Sequence, residues 1–215
     1  DKYTQHYRGC ITAMDEQVGR LRTELRAMGV AGNTLVTFCS DNGPEGKAGS
    51  APGSAGHLNG RKRDLLEGGI RVPGLIEWPG KIRPGSTSVP AVTSDYLPTI
   101  LDLIGAKPSG DRPLDGMSLQ PFFRGQLKER GRPIGFQSGG QVAWVDDRFK
   151  LWGRTPGKKV DQLPSLKLFD LVADPSEKNH VGAQHPEVMA RMTRELKAWR
   201  ASVSGSDRGE DYRAK

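Results

Sequence analysis

Asp41 and Asn42 stand side by side just past the apolar run Thr34-Leu35-Val36-Thr37-Phe38-Cys39. A carboxylate and an amide carbonyl are hard oxygen donors of the kind that calcium or magnesium prefers. Further along come the basic triplet Arg61-Lys62-Arg63 and the run Glu67-Gly68-Gly69-Ile70-Arg71-Val72-Pro73. A cation-ligand pair, a glycine-rich loop and a fixed positive charge together suit a tetrahedral oxyanion. Asn42-Gly43 is also a strong turn dipeptide, so a plain turn is the competing reading. Two features count against the turn: the preceding run reads as a buried strand, and no returning strand follows it at once.

Lys62 would offer a compact point charge with three donors to an oxyanion and to a departing oxygen. A three-residue basic run is otherwise a solvated face. His57 has two readings as well, proton donor to a leaving alkoxide or exposed loop histidine. Arg71 is read as the partner of a carboxylate within the fold. Trp78, Trp144, Trp152 and Trp199 fall on strand or helix positions and read as core.

The elements that must position these groups are legible from periodicity. Cys10, Met14, Val18, Leu21, Leu25 and Met28 recur every three or four residues, the stripe of an amphipathic helix over 6–28, with Gly29 as its C-cap. A short link leads to the strand 34–39, whose continuous apolar run is of the buried, parallel-sheet type. Ligands in α/β sheets bind beyond the carboxyl ends of strands, which is where Asp41 and Asn42 lie. Residues 43–60 form a Gly-rich loop, a strand is expected at 74–78, and Ser94 is expected to cap a helix ending at Ile104. After a loop-rich stretch, 141–152 reads as a hairpin turning at Asp146-Asp147-Arg148, 167–171 as a strand, and 186–203 as a helix burying Val188, Met192, Leu196, Trp199 and Val203.

Composition bounds the rest. With 215 residues, 35% of them hydrophobic, and with 28 glycines and 15 prolines, the chain reads as a loop-rich globular protein. No apolar stretch approaches the roughly 20 residues that span a bilayer. The start, Asp1-Lys2-Tyr3, carries neither an initiator Met nor a signal pattern, so the chain is expected to be processed or cut from something longer. The formal charge of +7 invites nucleic acid, but the 32 basic residues are interleaved with 25 acidic ones and no recognition motif accompanies them. A basic surface facing anionic substrates is the better reading. Cys10 and Cys39 lack metal spacing and read as buried thiols.

Several segments act together: Met14-Asp15-Glu16-Gln17-Val18-Gly19-Arg20-Leu21, Ser40-Asp41-Asn42-Gly43-Pro44, Gly60-Arg61-Lys62 with Glu67-Gly68-Gly69-Ile70-Arg71-Val72-Pro73, Trp78-Pro79-Gly80-Lys81, Asp95-Tyr96-Leu97-Pro98-Thr99, and Leu168-Phe169-Asp170-Leu171 with Asp174-Pro175-Ser176-Glu177-Lys178-Asn179. As a set they resemble the type I sulfatases, the formylglycine-dependent family of the alkaline-phosphatase superfamily, over the C-terminal half only. The resemblance implies an α/β fold in which 1–106 are the C-terminal part of the catalytic sheet lobe. A loop-rich linker (107–140), a small α+β lobe with an antiparallel sheet and C-terminal helix (141–203) and a polar tail (204–215) would follow.

It further implies that Asp41 and Asn42 hold Ca2+, with Mg2+ as the alternative, and that Lys62 binds sulfate and steadies the leaving oxygen. The implied reaction is hydrolysis of a sulfate ester or sulfamate, on a sulfated small molecule or sulfated glycan, outside the cytoplasm or in lysosomes. The family's formylglycine arises from a Cys/Ser-x-Pro-x-Arg motif. Neither Cys10-Ile11-Thr12-Ala13-Met14 nor Cys39-Ser40-Asp41-Asn42-Gly43 fits it, so the nucleophile is expected in the N-terminal half. The chain is expected to be inactive alone. A phosphodiesterase or phosphonate hydrolase of the same superfamily is the nearest alternative, although such enzymes often carry a His where Asn42 stands. A non-catalytic, polyanion-binding fragment is the third reading.

Overall fold

A computed structural model describes residues 1–108, 110, 112–154, 163 and 165–212. Helix α1 (Lys2–Ala27) begins at Asp1, whose carboxylate accepts from the Thr4 amide at 2.7 Å. Strand β1 (Val36–Cys39) follows, then the long loop, the single helical turn α2 (Glu67–Ile70) and strand β2 (Gly74–Glu77). β1 pairs antiparallel with β2, Val36 opposite Glu77 and Cys39 opposite Gly74. The parallel reading of the 34–39 run is therefore corrected. The expectation of a buried strand is not met either: Val36, Phe38 and Cys39 are half-buried and Thr37 is exposed among the described residues.

α1 takes the length its periodicity demands, yet none of its residues is buried. Val18 and Leu25 are half-buried, while Cys10, Met14, Leu21 and Met28 face solvent. The stripe specified a helix, but nothing among the described residues buries it. Cys10 is accordingly an exposed thiol, and Cys39 is half-buried, accepting from the Tyr96 hydroxyl at 3.2 Å. Arg22 and Arg26 tie α1 to Glu77 of β2 at 2.6 and 3.1 Å. Such exposed pairs are screened by solvent and lend little stability.

Helix α3 (Tyr96–Leu103) is entered through a 3₁₀ turn at Thr93–Asp95. Asp95, not Ser94, organises that entry: its carboxylate accepts from the Val92 and Met117 amides at 2.9 Å each. Asp95 is fully buried and takes a two-pronged pair from the Arg130 guanidinium at 2.7 and 2.8 Å. Arg130 Nε donates to the Arg132 carbonyl at 2.7 Å. The charges are thus both paired and hydrogen-bonded, the condition under which burial is tolerated.

The 107–140 stretch contains more structure than its turn residues suggested: the turn α4 (Gln120–Phe123) and strand β3 (Ile134–Ser138). β3, β4 (Gln141–Val145), β5 (Phe149–Arg154) and β6 (Leu166–Asp170) form an antiparallel sheet in chain order. The β4–β5 hairpin turns at Asp146, which accepts from the Arg148 and Phe149 amides at 2.9 and 2.5 Å. α5 (Pro186–Asp207) lies across one face and runs past the expected end at 203, with a 3₁₀ turn at Glu210–Tyr212 in the stretch expected to be a tail. Met192 and Leu196 pack with Val142, Trp144, Phe149, Leu151 and Leu168, and Trp199 closes the edge of this core. Gly135 on β3 makes room for it, since a Cβ there would sit 2.4 Å from the Trp199 ring. The opposite face of the sheet carries Gln141, Ala143, Val145, Lys150 and Phe169. All five are buried, so this face is covered as well.

Arg130→Met strands the Asp95 carboxylate in the interior without its counter-charge. We expect a loss of about 3–5 kcal/mol in urea unfolding. Adding Asp95→Asn to that variant should recover part of the loss.

Candidate functional site

The loop after β1, the loop before α2 and α2 itself meet closely through backbone. The Gly43 amide donates to the Gly69 carbonyl at 2.8 Å, and the Gly68 amide to the Asn59 carbonyl at 2.6 Å. A Cβ on Gly43 would lie 1.8 Å from the Gly68 oxygen, one on Gly68 2.2 Å from the Gly60 oxygen, and one on Gly69 2.1 Å from the Asp64 oxygen. No side chain fits at any of the three. Close approach of backbones, not conformational freedom, explains this glycine set.

The strand end places Asp41 exposed and Asn42 half-buried. Among the described residues neither side chain takes a hydrogen bond; Ser40 Oγ binds only the Asn42 carbonyl, at 2.9 Å. Two hard oxygens without protein donors fit calcium or magnesium in kind. They are fewer than the six or more such an ion takes, and no group of three His, Cys, Asp or Glu that would hold a metal occurs among the described residues. A metal held here needs ligands from outside them.

Lys62 is joined to the same loop: its amide donates to the Pro44 carbonyl at 3.2 Å. Its ammonium, part-exposed, lies 3.7 Å from Glu45, which also pairs with Arg63 at 2.7 Å. Arg63 and, to a lesser degree, Lys62 hold the Glu45 carboxyl below its ordinary range. The structure thus joins Lys62 and the Asp41-Asn42 turn through backbone, with the ammonium directed to Glu45. His57 is exposed on the loop and makes no hydrogen bond among the described residues. Arg71 pairs with the Glu67 carboxylate at 3.7 Å, the kind of partner expected for it.

Arg61 does what its sequence neighbours do not. Its guanidinium donates to the carbonyls of Gly46, Glu45 and Gly53 at 2.7, 2.9 and 2.7 Å, pinning the glycine-rich loop from inside. Gln141 performs the equivalent task from the sheet. Its amide donates to the Arg63 carbonyl at 2.8 Å and accepts from the Leu65 amide at 3.2 Å. Between those contacts Arg63 adopts φ +78°, a left-handed conformation that costs a non-glycine residue about 1–3 kcal/mol and persists only where neighbours fix it.

Beneath α2 lies a cluster that sequence reasoning missed. Lys150 has no exposed side-chain surface, and its ammonium sits 3.0 Å from Glu67 Oε1 and 2.8 Å from Glu177 Oε1. The first is an aligned hydrogen bond; the second is a close ion contact outside hydrogen-bond geometry. Glu177 Oε2 accepts from the Glu67 amide at 2.6 Å. One signal was available: Lys150 is a charge inside Phe149-Lys150-Leu151-Trp152, where the hairpin pattern leaves no solvent face.

With the site laid out, the chain can be set beside known proteins. Residues 1–106 match the family model described as Sulfatase. The chain resembles the C-terminal half of a sulfatase of the alkaline-phosphatase superfamily, and its fold is that α/β architecture with antiparallel sheets and a closing helix. It is 39% identical over 130 residues to the steryl-sulfatase of Rattus norvegicus, covering 57% of this chain and 22% of that one. It is 41% identical over 125 residues to arylsulfatase A of Bos taurus, covering 58% and 24%. The solved structure of Ps i-CgsB in complex with k-i-k-neocarrahexaose superposes with TM-score 0.79 at 31% identity, over 94% of this chain and 44% of that one. In each case the match spans less than half of the relative.

Burial pushes the Glu177 carboxyl above its ordinary range, with Lys150 and the Glu67 amide pulling it partly back. The folded chain therefore holds that proton more tightly than the unfolded chain does. The stability this lends is complete below the ordinary Glu range and is lost as pH rises through the raised value. Wild type should thus lose ground to Glu177→Gln, which does not titrate, as pH increases across that window. Urea midpoints over a pH series check this, and a pH-independent difference would count against it.

Proposed function

We propose that this chain supplies the calcium- and sulfate-binding side of a sulfatase that hydrolyses sulfate esters or sulfamates. One observation carries the reading: the oxygens of Asp41 and Asn42, without a hydrogen-bond donor among the described residues, sit on a turn locked, by Gly43 to Gly69 and Pro44 to Lys62, against the segment that bears the candidate sulfate-binding ammonium.

Asp41 and Asn42 would hold the cation, with the remaining ligands from the part of the protein that the relatives carry and this chain does not. Calcium, when bound, supplies a Lewis acid that offsets the charge of sulfate. Lys62 turns from Glu45 to the sulfate oxyanion, exchanging one anionic partner for another, so the move costs little charge pairing. As the ester bond breaks, its ammonium neutralises the oxygen that departs. His57 stands on the same loop as a proton donor to that oxygen, though no contact orients it. No Cys/Ser-x-Pro-x-Arg motif occurs in the chain, and the hydrated formylglycine of the family is assigned to the N-terminal half.

The substrate class stays at a sulfated small molecule or sulfated glycan. Relatives are named steryl-sulfatase and arylsulfatase A, and the solved neighbour is in complex with k-i-k-neocarrahexaose. The net charge of +7 suits either. The compartment proposed is periplasmic, secreted or lysosomal, after the family. A phosphodiesterase or phosphonate hydrolase would need a second metal, which Asn42 does not favour over the single-ion arrangement.

In the intact protein, Lys62→Ala should lower kcat/KM for an aryl sulfate about a hundredfold or more. Chelation or Asp41→Ala should abolish turnover, and titration should return one calcium per chain. Two ions per chain, or turnover indifferent to Lys62, would sink the reading. The 215-residue chain alone should show no turnover at all, and calcium-dependent hydrolysis by it that Lys62→Ala removes would overturn the assignment of the nucleophile elsewhere.

A further inference from the structure

The Glu67–Lys150–Glu177 cluster touches neither the candidate metal oxygens nor the candidate sulfate-binding ammonium, and the reaction needs no acid or base there. We propose that Lys150 and Glu177 are positioning residues, which fix the Glu67-Gly68-Gly69 turn and through it set the metal-side and sulfate-side loops relative to each other. The proposal rests on the sulfatase reading above.

Glu67 is held at two points: its amide by Glu177 Oε2 at 2.6 Å and its carboxylate by the Lys150 ammonium at 3.0 Å. The next two residues hand that fixation on in opposite directions. Gly68 binds Asn59, two residues from Arg61 and three from Lys62, while Gly69 binds Gly43, next to Asn42. One anchor therefore serves both sides of the site. Gln141 adds a second tie from the same sheet face to Arg63 and Leu65.

Stability alone does not account for the cluster. Well-packed apolar side chains of similar volume usually match or exceed a buried ion triad. Glu177 also adopts φ +53°, an unfavourable conformation for a glutamate, in order to aim its carboxylate. A lysine with three donors between two carboxylates fixes direction as well as distance, which an apolar plug would not.

The test uses the intact protein and an aryl sulfate at saturating calcium, with Glu177→Leu, Glu177→Gln and the core truncation Leu168→Ala. Leu168 lies on the other face of the sheet, against α5, and controls for lost stability. Glu177→Leu should lower kcat about a hundredfold with KM little changed, as a small misplacement of reacting groups does. Glu177→Gln, which keeps an oxygen for the Glu67 amide, should restore most of it, and Leu168→Ala should leave kcat per folded molecule at the wild-type value. Hydrogen exchange followed by mass spectrometry should show peptides covering 41–46 and 66–71 exchanging about tenfold faster in Glu177→Leu, with β4 unchanged.

Equal kcat and equal exchange in Glu177→Leu and Leu168→Ala would overturn the proposal. If wild type proves inactive on sulfate esters, the sulfatase reading fails, while exchange at 41–46 still decides whether Glu177 positions that turn. Should Glu177→Leu not fold, the double apolar replacement Lys150→Met with Glu177→Met carries the same comparison.

Discussion

Lys150 is sealed from water between the carboxyl groups of Glu67 and Glu177, and that arrangement ties the small sheet to the turn beneath the candidate site. An isolated ammonium in the interior would give up its proton or unfold the chain around it. Here the two glutamates come from different places, one from the turn under the site and one from beyond the last strand. The small sheet is thereby bonded to the region that carries the candidate chemistry. It is a foundation with two working faces, α5 on one side and the 61–71 segment on the other.

From that foundation upward, order is passed on almost wholly by backbone. Gly43, Gly68 and Gly69 let three chain segments approach to distances that any side chain would forbid. Arg61 and Gln141 then satisfy carbonyls and amides that such tight loops would otherwise leave bare. The candidate affinity groups are exposed or half-buried, while the anchors beneath them, Glu67, Gln141, Lys150 and Glu177, are buried. That division is typical of sites that must bind a charged ligand without reorganising first.

How much of this was legible in the sequence follows from what each signal measures. The hairpin at Asp146, the strand ending at Asp170 and the helix through Met192 and Leu196 emerged with near-correct bounds, because local turn chemistry and periodicity determine them. The strand at Ile134–Ser138 was missed, since Pro108, Pro113, Gly116, Pro121 and Gly125 made the whole 107–140 stretch read as a loop-rich linker. Gly135 is there for the Trp199 ring, a contact no local pattern reveals. Asp41, Asn42 and Lys62 are proposed from residue type and the family pattern, and the structure joins their segments through backbone. The anchors Lys150, Glu177 and Gln141 were missed, because their partners are 83, 110 and 76 residues distant in the chain. Burial of α1 was over-read: a stripe tells which side is greasy, not whether anything covers it.

That uncovered stripe has a consequence for the behaviour of the polypeptide in a tube. Tyr3, Tyr7, Ile11, Met14 and Leu21 present a sticky line along a helix that nothing described here shields. The surplus of positive charge keeps copies apart only while its field reaches between them. Adding salt shortens that reach to about 10 Å at 0.1 M and further beyond it. Preparations of this polypeptide should therefore cloud as ionic strength rises, the reverse of what one expects of a protein salted into solution.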